Sequence, residues 1–101
     1  MTTAQQPPST PPKGFAPYKR TRTFDEGDIP AALLNEHKTK AGVWARIHVE
    51  SGVLRYRQAA PPVDVAIAAG ETLAAAPELP HQVAPEGLVT FYVEFWRADA
   101  P

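Results

Sequence analysis

The sequence predicts a single all-β domain, either a sandwich or a small barrel. Apolar and polar residues alternate with a period of two through most of the chain after residue 42, which is typical of half-buried strands. Turns containing glycine or proline separate these stretches at intervals of roughly ten residues, as in sandwiches and barrels. The helical candidate AALLNEHKT lies between Pro30 and Gly42. These two residues leave room for two helical turns at most, and we expect one turn or none.

The first fourteen residues are predicted to form a flexible tail. They carry four of the twelve prolines together with Thr, Ser and Gln, a composition that favours extended, solvated chain. The β domain is therefore expected to span residues 15–101. Its first element is predicted to be an edge strand in YKRTRTF, beginning at Tyr18 and followed by the turn residues of DEGDIP.

Residues 43–57 are predicted to form a hairpin. In VWARIHV, alternate residues form one apolar face, which consists of Val43, Ala45, Ile47 and Val49. A tight connection at Glu50-Ser51-Gly52 is expected to return the chain into VLRYR, where Leu54 and Tyr56 share a face.

Three further strands complete the predicted sheet. The stretch PPVDVAIAAGE places alternate apolar residues on one face and ends in a glycine turn. TLAAAP is a weaker strand, which its alanines would also permit as a helix. The turn PEG at residues 85–87 then leads into LVTFYVEFWR, whose apolar face consists of Val89, Phe91, Val93 and Phe95. We expect that face to lie in the core, which turns the alternate residues of this strand the other way, namely Thr90, Tyr92, Glu94 and Trp96.

Composition and charge exclude several classes of function. The net charge is −1 and the arginines are interleaved with acidic residues, so we expect no nucleic-acid partner. Without cysteine, the chain has no disulfide, thiolate metal site or thiol nucleophile. The apolar runs are too short to span a membrane and the N-terminus lacks the apolar region of a secretory signal, so we expect a cytoplasmic protein.

Three side chains are candidate metal ligands. His37 precedes a strand, His81 lies in PELPHQV between a glycine turn and a strand, and Glu94 lies within the apolar final strand. Burial of a carboxylate in such a strand costs free energy unless it pairs or binds a metal. From the residues alone, the two histidines could instead be an exposed turn residue and a loop residue bonded to a backbone carbonyl. The partner of Glu94 could equally be Arg46 or Arg55.

Further residues are predicted to line a pocket or to lie on the outer surface. Arg46, Tyr56 and Tyr92 are predicted pocket residues. His48 alternates with Trp44 and Arg46, opposite the expected core face, so we expect it to face solvent or an interface rather than to ligate a metal. The outward-facing residues of the final strand would be buried if that face is covered by the N-terminal segment or by a second subunit. Cover by a second subunit would make the protein a homodimer.

Over residues 18–97 the chain resembles a known family. The stretches HKTKAGVWARIHVESGVLRY, AGETLAAAPELPHQV and FYVEFWR are similar to the small cupin-like family of YeaR and of the N-terminal domain of TehB tellurite-resistance proteins. The resemblance implies a cupin-like small barrel, that is, a double-stranded β-helix or jelly roll. It also implies His, His and an acidic residue at the positions of His37, His81 and Glu94. Such a set suits a divalent metal, with zinc favoured and iron, manganese or nickel as alternatives.

The resemblance further implies a metal-binding protein associated with tellurite resistance or stress, which binds a small molecule or anion in the barrel. Two alternatives remain open at this point. One is a metal-dependent enzyme of the oxygenase or isomerase type acting on a small molecule, for which no catalytic residue is assigned. The other is a non-catalytic, dimeric interaction domain whose histidines are incidental.

Overall fold

The protein is an all-β fold built on antiparallel strands, as the alternating pattern predicts. The computed structural model describes residues 7–99. Its elements in chain order are β1 (Phe15–Arg20), β2 (Phe24–Asp25), α1 (Ala31–Leu34), β3 (Trp44–Gln58), β4 (Val63–Ala68), β5 (Thr72–Ala75) and β6 (His81–Ala98). The helix α1 is the single turn expected after Pro30. Within this part of the chain, no helix is long and apolar enough to cross a membrane.

Two long strands, β3 and β6, form the centre of the sheet. They pair antiparallel along their whole length, from Trp44 opposite Trp96 to Gln58 opposite His81. The sheet has the order β1-β6-β3-β4, with β2 also paired to β6 and β5 also paired to β3. The strand β1 therefore lies at an edge, as predicted. Among the described residues no pairing joins β1 to β4, and the sheet is not closed by strand pairing.

The predicted hairpin over residues 43–57 is wrong, because the chain runs on through Gly52 as one strand of 15 residues. Register shifts lie on either side of this glycine in its pairing with β6. Gly52 has φ +74°, and a Cβ atom there would overlap the carbonyl oxygen of Leu88. Gly87, in the predicted turn PEG, also has a positive φ of 77° and lies within β6. At both glycines the chain makes an irregularity within a paired strand, where the sequence pattern predicts a turn that reverses the chain.

The core contains the residues that the period-two pattern assigned to it. Those that are buried are Val43, Ala45, Ile47, Val49, Leu54, Tyr56, Val63, Ile67, Val89, Phe91 and Val93. Phe95 is partly buried and packs against them. The alternate residues of β6 lie half-buried on the opposite face, namely Thr90, Tyr92, Glu94 and Trp96. This second face is called the outer face below.

Part of the predicted tail packs against the sheet. Residues 1–6 lie outside the described residues. The carbonyl of Pro8 accepts a hydrogen bond from a backbone N–H of β5 (2.7 Å), and the carbonyl of Ser9 accepts one from the Thr72 hydroxyl (2.8 Å). These contacts cover the edge of β5, which would otherwise offer unpaired backbone groups. The division of the chain at residue 14 stays a prediction.

Candidate functional site

An isolated antiparallel bridge places His37 directly beside His81. The N–H of His37 donates to the carbonyl of His81 (2.9 Å), and the N–H of His81 donates to the carbonyl of His37 (2.8 Å). Side chains of residues that face each other in such a bridge lie on the same side of it. The two imidazole ring centres are accordingly 4.3 Å apart, with the ring planes at 66°. The fold therefore brings together two of the three predicted ligands, here called the histidine pair.

Each ring of the histidine pair is held by a backbone carbonyl two residues earlier in the chain. Nδ1 of His37 lies 3.0 Å from the Asn35 oxygen, and Nδ1 of His81 lies 2.8 Å from the Leu79 oxygen. A carbonyl only accepts, so each Nδ1 carries a proton and, in the neutral ring, the lone pair is on Nε2. Within residues 7–99 neither Nε2 atom has a hydrogen-bonding partner. Both Nε2 atoms are therefore available to a ligand.

His81 is the more deeply placed member of the pair, with 2% of its surface exposed. Loss of solvation on burial lowers the pKa of His81 to about 4. The hydrogen bond to the Leu79 carbonyl raises this pKa and the neighbouring His37 lowers it, both to a smaller extent than burial. At neutral pH His81 is therefore an uncharged imidazole, the form that binds metals or accepts hydrogen bonds.

Tyr56 supports the ring of His81 from within the core. It is completely buried, and its ring stacks on that of His81 with centres 5.4 Å apart. Its hydroxyl donates to Oε1 of Gln58 (2.6 Å), and the amide of Gln58 donates to the Pro61 carbonyl (2.9 Å). Burial also raises the pKa of the Tyr56 hydroxyl above its usual range. Of the three predicted pocket residues, this one contacts the histidine pair.

The histidine pair lines a cavity of about 440 Å³. Its walls are mainly apolar and consist of Ala32, Leu33, Val43, Ala45, Ile47, Val83, Phe91, Val93 and Phe95. The remaining lining residues are Tyr18, Lys19, His37, Lys38, Thr39, Lys40 and His81. A concave, largely apolar site with a few converging polar groups is the usual form of a small-molecule site.

The structure does not bring Glu94 to the histidine pair. Val93 lines the cavity, and because successive strand residues face opposite ways, Glu94 lies on the outer face. There its Oε1 is 2.7 Å from Nε2 of His48 and 3.2 Å from Nε1 of Trp96. Within residues 7–99 no three His, Cys, Asp or Glu side chains are grouped so as to hold a metal ion. The three-ligand set is not assembled, and metal binding by the histidine pair stays a prediction.

Two predicted pocket residues, Arg46 and Tyr92, also lie on the outer face. The ring of Tyr92 stacks on that of His48 with centres 4.5 Å apart and planes at 9°, and the Arg20 guanidinium carbon lies 3.7 Å from the Tyr92 ring centre. Arg46 donates from Nε to the carbonyl of Ser9 (3.0 Å). We call this group the outer cluster; it consists of Arg20, Arg46, His48, Tyr92, Glu94 and Trp96.

Sequence reasoning missed the three lysines of the cavity. Lys38 and Lys40 follow His37 in a loop. Their closeness in sequence to a candidate ligand could have indicated them. Lys19 comes from β1, on the far side of β6 from β3. Since it reaches the cavity only through strand pairing, no local pattern points to it.

Comparison with known proteins gives one family match. A sequence model of the TehB-like domain matches residues 19–93, about three quarters of the chain. No curated protein matches the sequence.

Solved structures with the same fold come from three bacteria. A protein from E. coli strain K12 has a TM-score of 0.80 at 22% identity, with 90% of this chain and 98% of the E. coli chain covered. TehB from Haemophilus influenzae has a TM-score of 0.77 at 16% identity, with 85% of this chain and 32% of TehB covered. A protein from Neisseria meningitidis has a TM-score of 0.54 at 14% identity, with 98% and 89% covered. These likenesses establish a shared fold, and this chain corresponds to about a third of TehB.

Proposed function

The chain belongs to the TehB-like domain family, and from this premise we propose that it binds a divalent metal ion through His37 and His81, next to a cavity that takes a small molecule or anion. One observation carries this proposal. Two adjacent imidazoles each engage a backbone carbonyl through Nδ1 and keep Nε2 available. A hydrogen bond of this kind on the far nitrogen is the usual way in which a metal-binding histidine is oriented.

The spacing of the two rings suits a shared ion. Imidazole nitrogen binds zinc at about 2.0–2.1 Å. The ring centres are 4.3 Å apart, so the two rings are close neighbours, and in this proposal their Nε2 atoms turn toward one ion. Two protein ligands are fewer than the four of structural zinc sites or the three of catalytic ones. The pair therefore fits an open, exchangeable site whose other positions are taken by water or by a ligand in the cavity.

The surrounding residues have separable roles in this proposal. A bound metal would supply a Lewis acid. Tyr56 holds the ring of His81 through stacking, and the backbone bridge fixes the distance between the two histidines. The apolar walls of the cavity limit the access of water to the histidine pair. Zinc is the favoured ion, with iron, manganese and nickel as alternatives for this ligand type.

The remaining expectations belong to the same proposal. The length of β3 and β6 and the irregularities that they share near Gly52 support a cupin-like jelly-roll barrel. The half-buried aromatic and charged side chains of the outer cluster support a homodimer interface. The family relationship to TehB supports a cytoplasmic role in resistance to tellurite or related stress.

Metal binding is tested by calorimetric titration of tag-free, chelator-treated protein with Zn²⁺. We expect one ion per chain and at least about tenfold weaker binding in His37→Ala and in His81→Ala, because each removes one of two protein ligands. The matched control is His48→Gln, which alters the third histidine of the chain on the outer face. Its Zn²⁺ affinity should equal that of the wild type.

Two results would contradict the proposal. One is the absence of Zn²⁺ binding by the folded wild type. The other is a loss of affinity in His48→Gln as large as in the two cavity variants. Circular dichroism of each variant shows whether a lost affinity reflects lost folding.

A further inference from the structure

Positive charge is concentrated around the cavity. The chain has eleven acidic and ten basic residues and a net charge of −1. Three of its four lysines nevertheless line the cavity, and none of the described lining residues is acidic. These residues are Lys19, Lys38 and Lys40. The cavity is therefore a positively charged region on a chain that is nearly neutral overall.

The three lysines are not engaged by acidic partners elsewhere in the described part of the chain. Within residues 7–99 the close contacts between acidic and basic side chains are made by arginines and by His48, none of which lines this cavity. Lys19 instead lies above aromatic rings, with Nζ 5.3 Å from the ring centre of Phe95 and 5.8 Å from that of Tyr18. Its charge is thus held over the cavity lining and remains available to an anion.

The charged residues lie at the exposed rim of the cavity, and most of the apolar residues lie deeper. All three lysines are exposed, whereas the wall residues Ala45, Ile47 and Phe91 are buried. A ligand that matches both parts has a charged end near the lysines and an apolar body against the walls. The volume of about 440 Å³ lies within the range of roughly 300–1,000 Å³ that small-molecule sites occupy.

We infer that the cavity binds a small organic anion with an apolar body, of the aromatic carboxylate class, whose carboxylate lies among Lys19, Lys38 and Lys40. This deepens the proposed function and rests on its assignment of the cavity as the functional site. An inorganic oxyanion would leave the apolar walls uncovered and would lose hydration beside them. A neutral molecule of the same shape would forgo the charge-assisted hydrogen bonds to the lysines.

The test compares three probes on the full chain: 2-naphthoate, its neutral analogue 2-naphthamide, and inorganic phosphate. Each is titrated into ¹⁵N-labelled protein, with Zn²⁺ and again with chelator, and followed by amide chemical shifts. We expect 2-naphthoate to bind at least about tenfold more tightly than either other probe, a difference that one or two charged contacts supply. The shifted amides should belong to residues of the cavity such as Val83 and Val93.

Charge variants separate the lysines from the rest of the cavity. The double variant Lys38→Gln/Lys40→Gln should bind 2-naphthoate about tenfold more weakly and should bind 2-naphthamide as the wild type does. The matched control is Lys13→Gln, at the one lysine outside the cavity lining, and it should leave both affinities unchanged. Both substituted lysines are exposed, so the double variant is expected to keep the wild-type amide spectrum except for residues near the two substitutions.

The inference is overturned if the acid and the amide bind equally, if phosphate binds more tightly, or if the double variant keeps its 2-naphthoate affinity. Shifts confined to residues outside the cavity would also overturn it. Failure of the metal proposal is a distinct result. Selective binding of 2-naphthoate in chelator, by protein that takes up no Zn²⁺, supports the anion site and contradicts the metal site. Binding of Zn²⁺ without selectivity for 2-naphthoate does the reverse.

Discussion

The chain contains two histidine environments on opposite faces of the sheet, and they differ in which ring nitrogen is engaged. On the outer face, Nε2 of His48 is bound by Glu94 and the ring is covered by Tyr92. In the cavity, His37 and His81 engage carbonyls through Nδ1 and leave Nε2 available. Residue type alone therefore does not identify a binding site. The hydrogen-bonding partner of each nitrogen does.

The two environments also differ in what surrounds the imidazole. In the outer cluster the carboxylate of Glu94 contacts the imidazole of His48, and these two side chains keep about a fifth of their surface exposed. Around His81 there is no carboxylate among the described cavity residues, and burial keeps the ring uncharged. In the outer cluster Nε2 of His48 has a protein partner, whereas among the described residues the Nε2 atoms of the histidine pair have none.

The largest expected contrast is in stability. Tyr56→Ala should lower the free energy of unfolding by about 3–5 kcal/mol, as is usual when a buried aromatic side chain is removed from a core, because Tyr56 is fully buried beneath His81. Tyr92→Ala should cost about 1 kcal/mol, since it loses a stack and a cation–π contact on the half-buried outer face. Urea unfolding measures both changes. Equal losses would refute the distinction between the two faces.

A second contrast is the effect of acid on the metal-free protein. The pKa of His81 is lowered to about 4 in the folded state, whereas an unfolded histidine has a pKa of about 6.5. Below pH 6.5 the unfolded chain takes up a proton that folded His81 does not, so the contribution of His81 to stability falls as the pH drops from about 6.5 to 4. The total loss is on the order of 3 kcal/mol.

This pH effect is measured by urea unfolding in chelator at several pH values between 7 and 4. His81→Gln removes the titrating ring and should flatten this part of the profile, while carboxylates elsewhere affect both proteins alike. Parallel profiles for the wild type and His81→Gln would show that burial does not hold the ring neutral.

The finest contrast needs no change to the protein. At pH 7.5 and without metal, long-range ¹H–¹⁵N spectra should show the proton of His37 and His81 on Nδ1, because each donates there to a carbonyl. For His48 the proton should be on Nε2, because Glu94 can only accept. An Nε2 proton on His81 would remove the main support for its role as a ligand.

The period-two pattern was sufficient to predict the two faces of β6. It placed Phe91 and Val93 in the core and Tyr92 and Glu94 opposite them, as the structure does. The nomination of Glu94 as a ligand came instead from the cost of burying a carboxylate and from the family resemblance. That cost is met by His48 and Trp96. A local pattern gives the side on which a residue lies, but it does not give its partner.

Long-range pairing explains what the sequence did not predict. The stretch Glu50-Ser51-Gly52 has the composition of a hairpin turn. It is instead an irregularity within β3, where Gly52 lies against the backbone of Leu88 on β6. The local sequence pattern also could not predict which residues contact His37, because its bridge to His81 joins residues that are far apart in the chain. The family resemblance was what indicated that these two histidines belong together. Nothing in the sequence indicated that Lys19 lines the same cavity.

The bridge between His37 and His81 has a further consequence for the order of events in folding. It closes a loop that contains β3, β4 and β5, and closing a loop of this length carries an entropic cost that local contacts do not. We therefore expect the two rings to meet late in folding, when the intervening strands have shortened the loop that the bridge closes. A ligand shared by both histidines would bind the completed fold and not the unfolded chain, and it would stabilise that fold by an amount that grows with the ratio of ligand concentration to Kd.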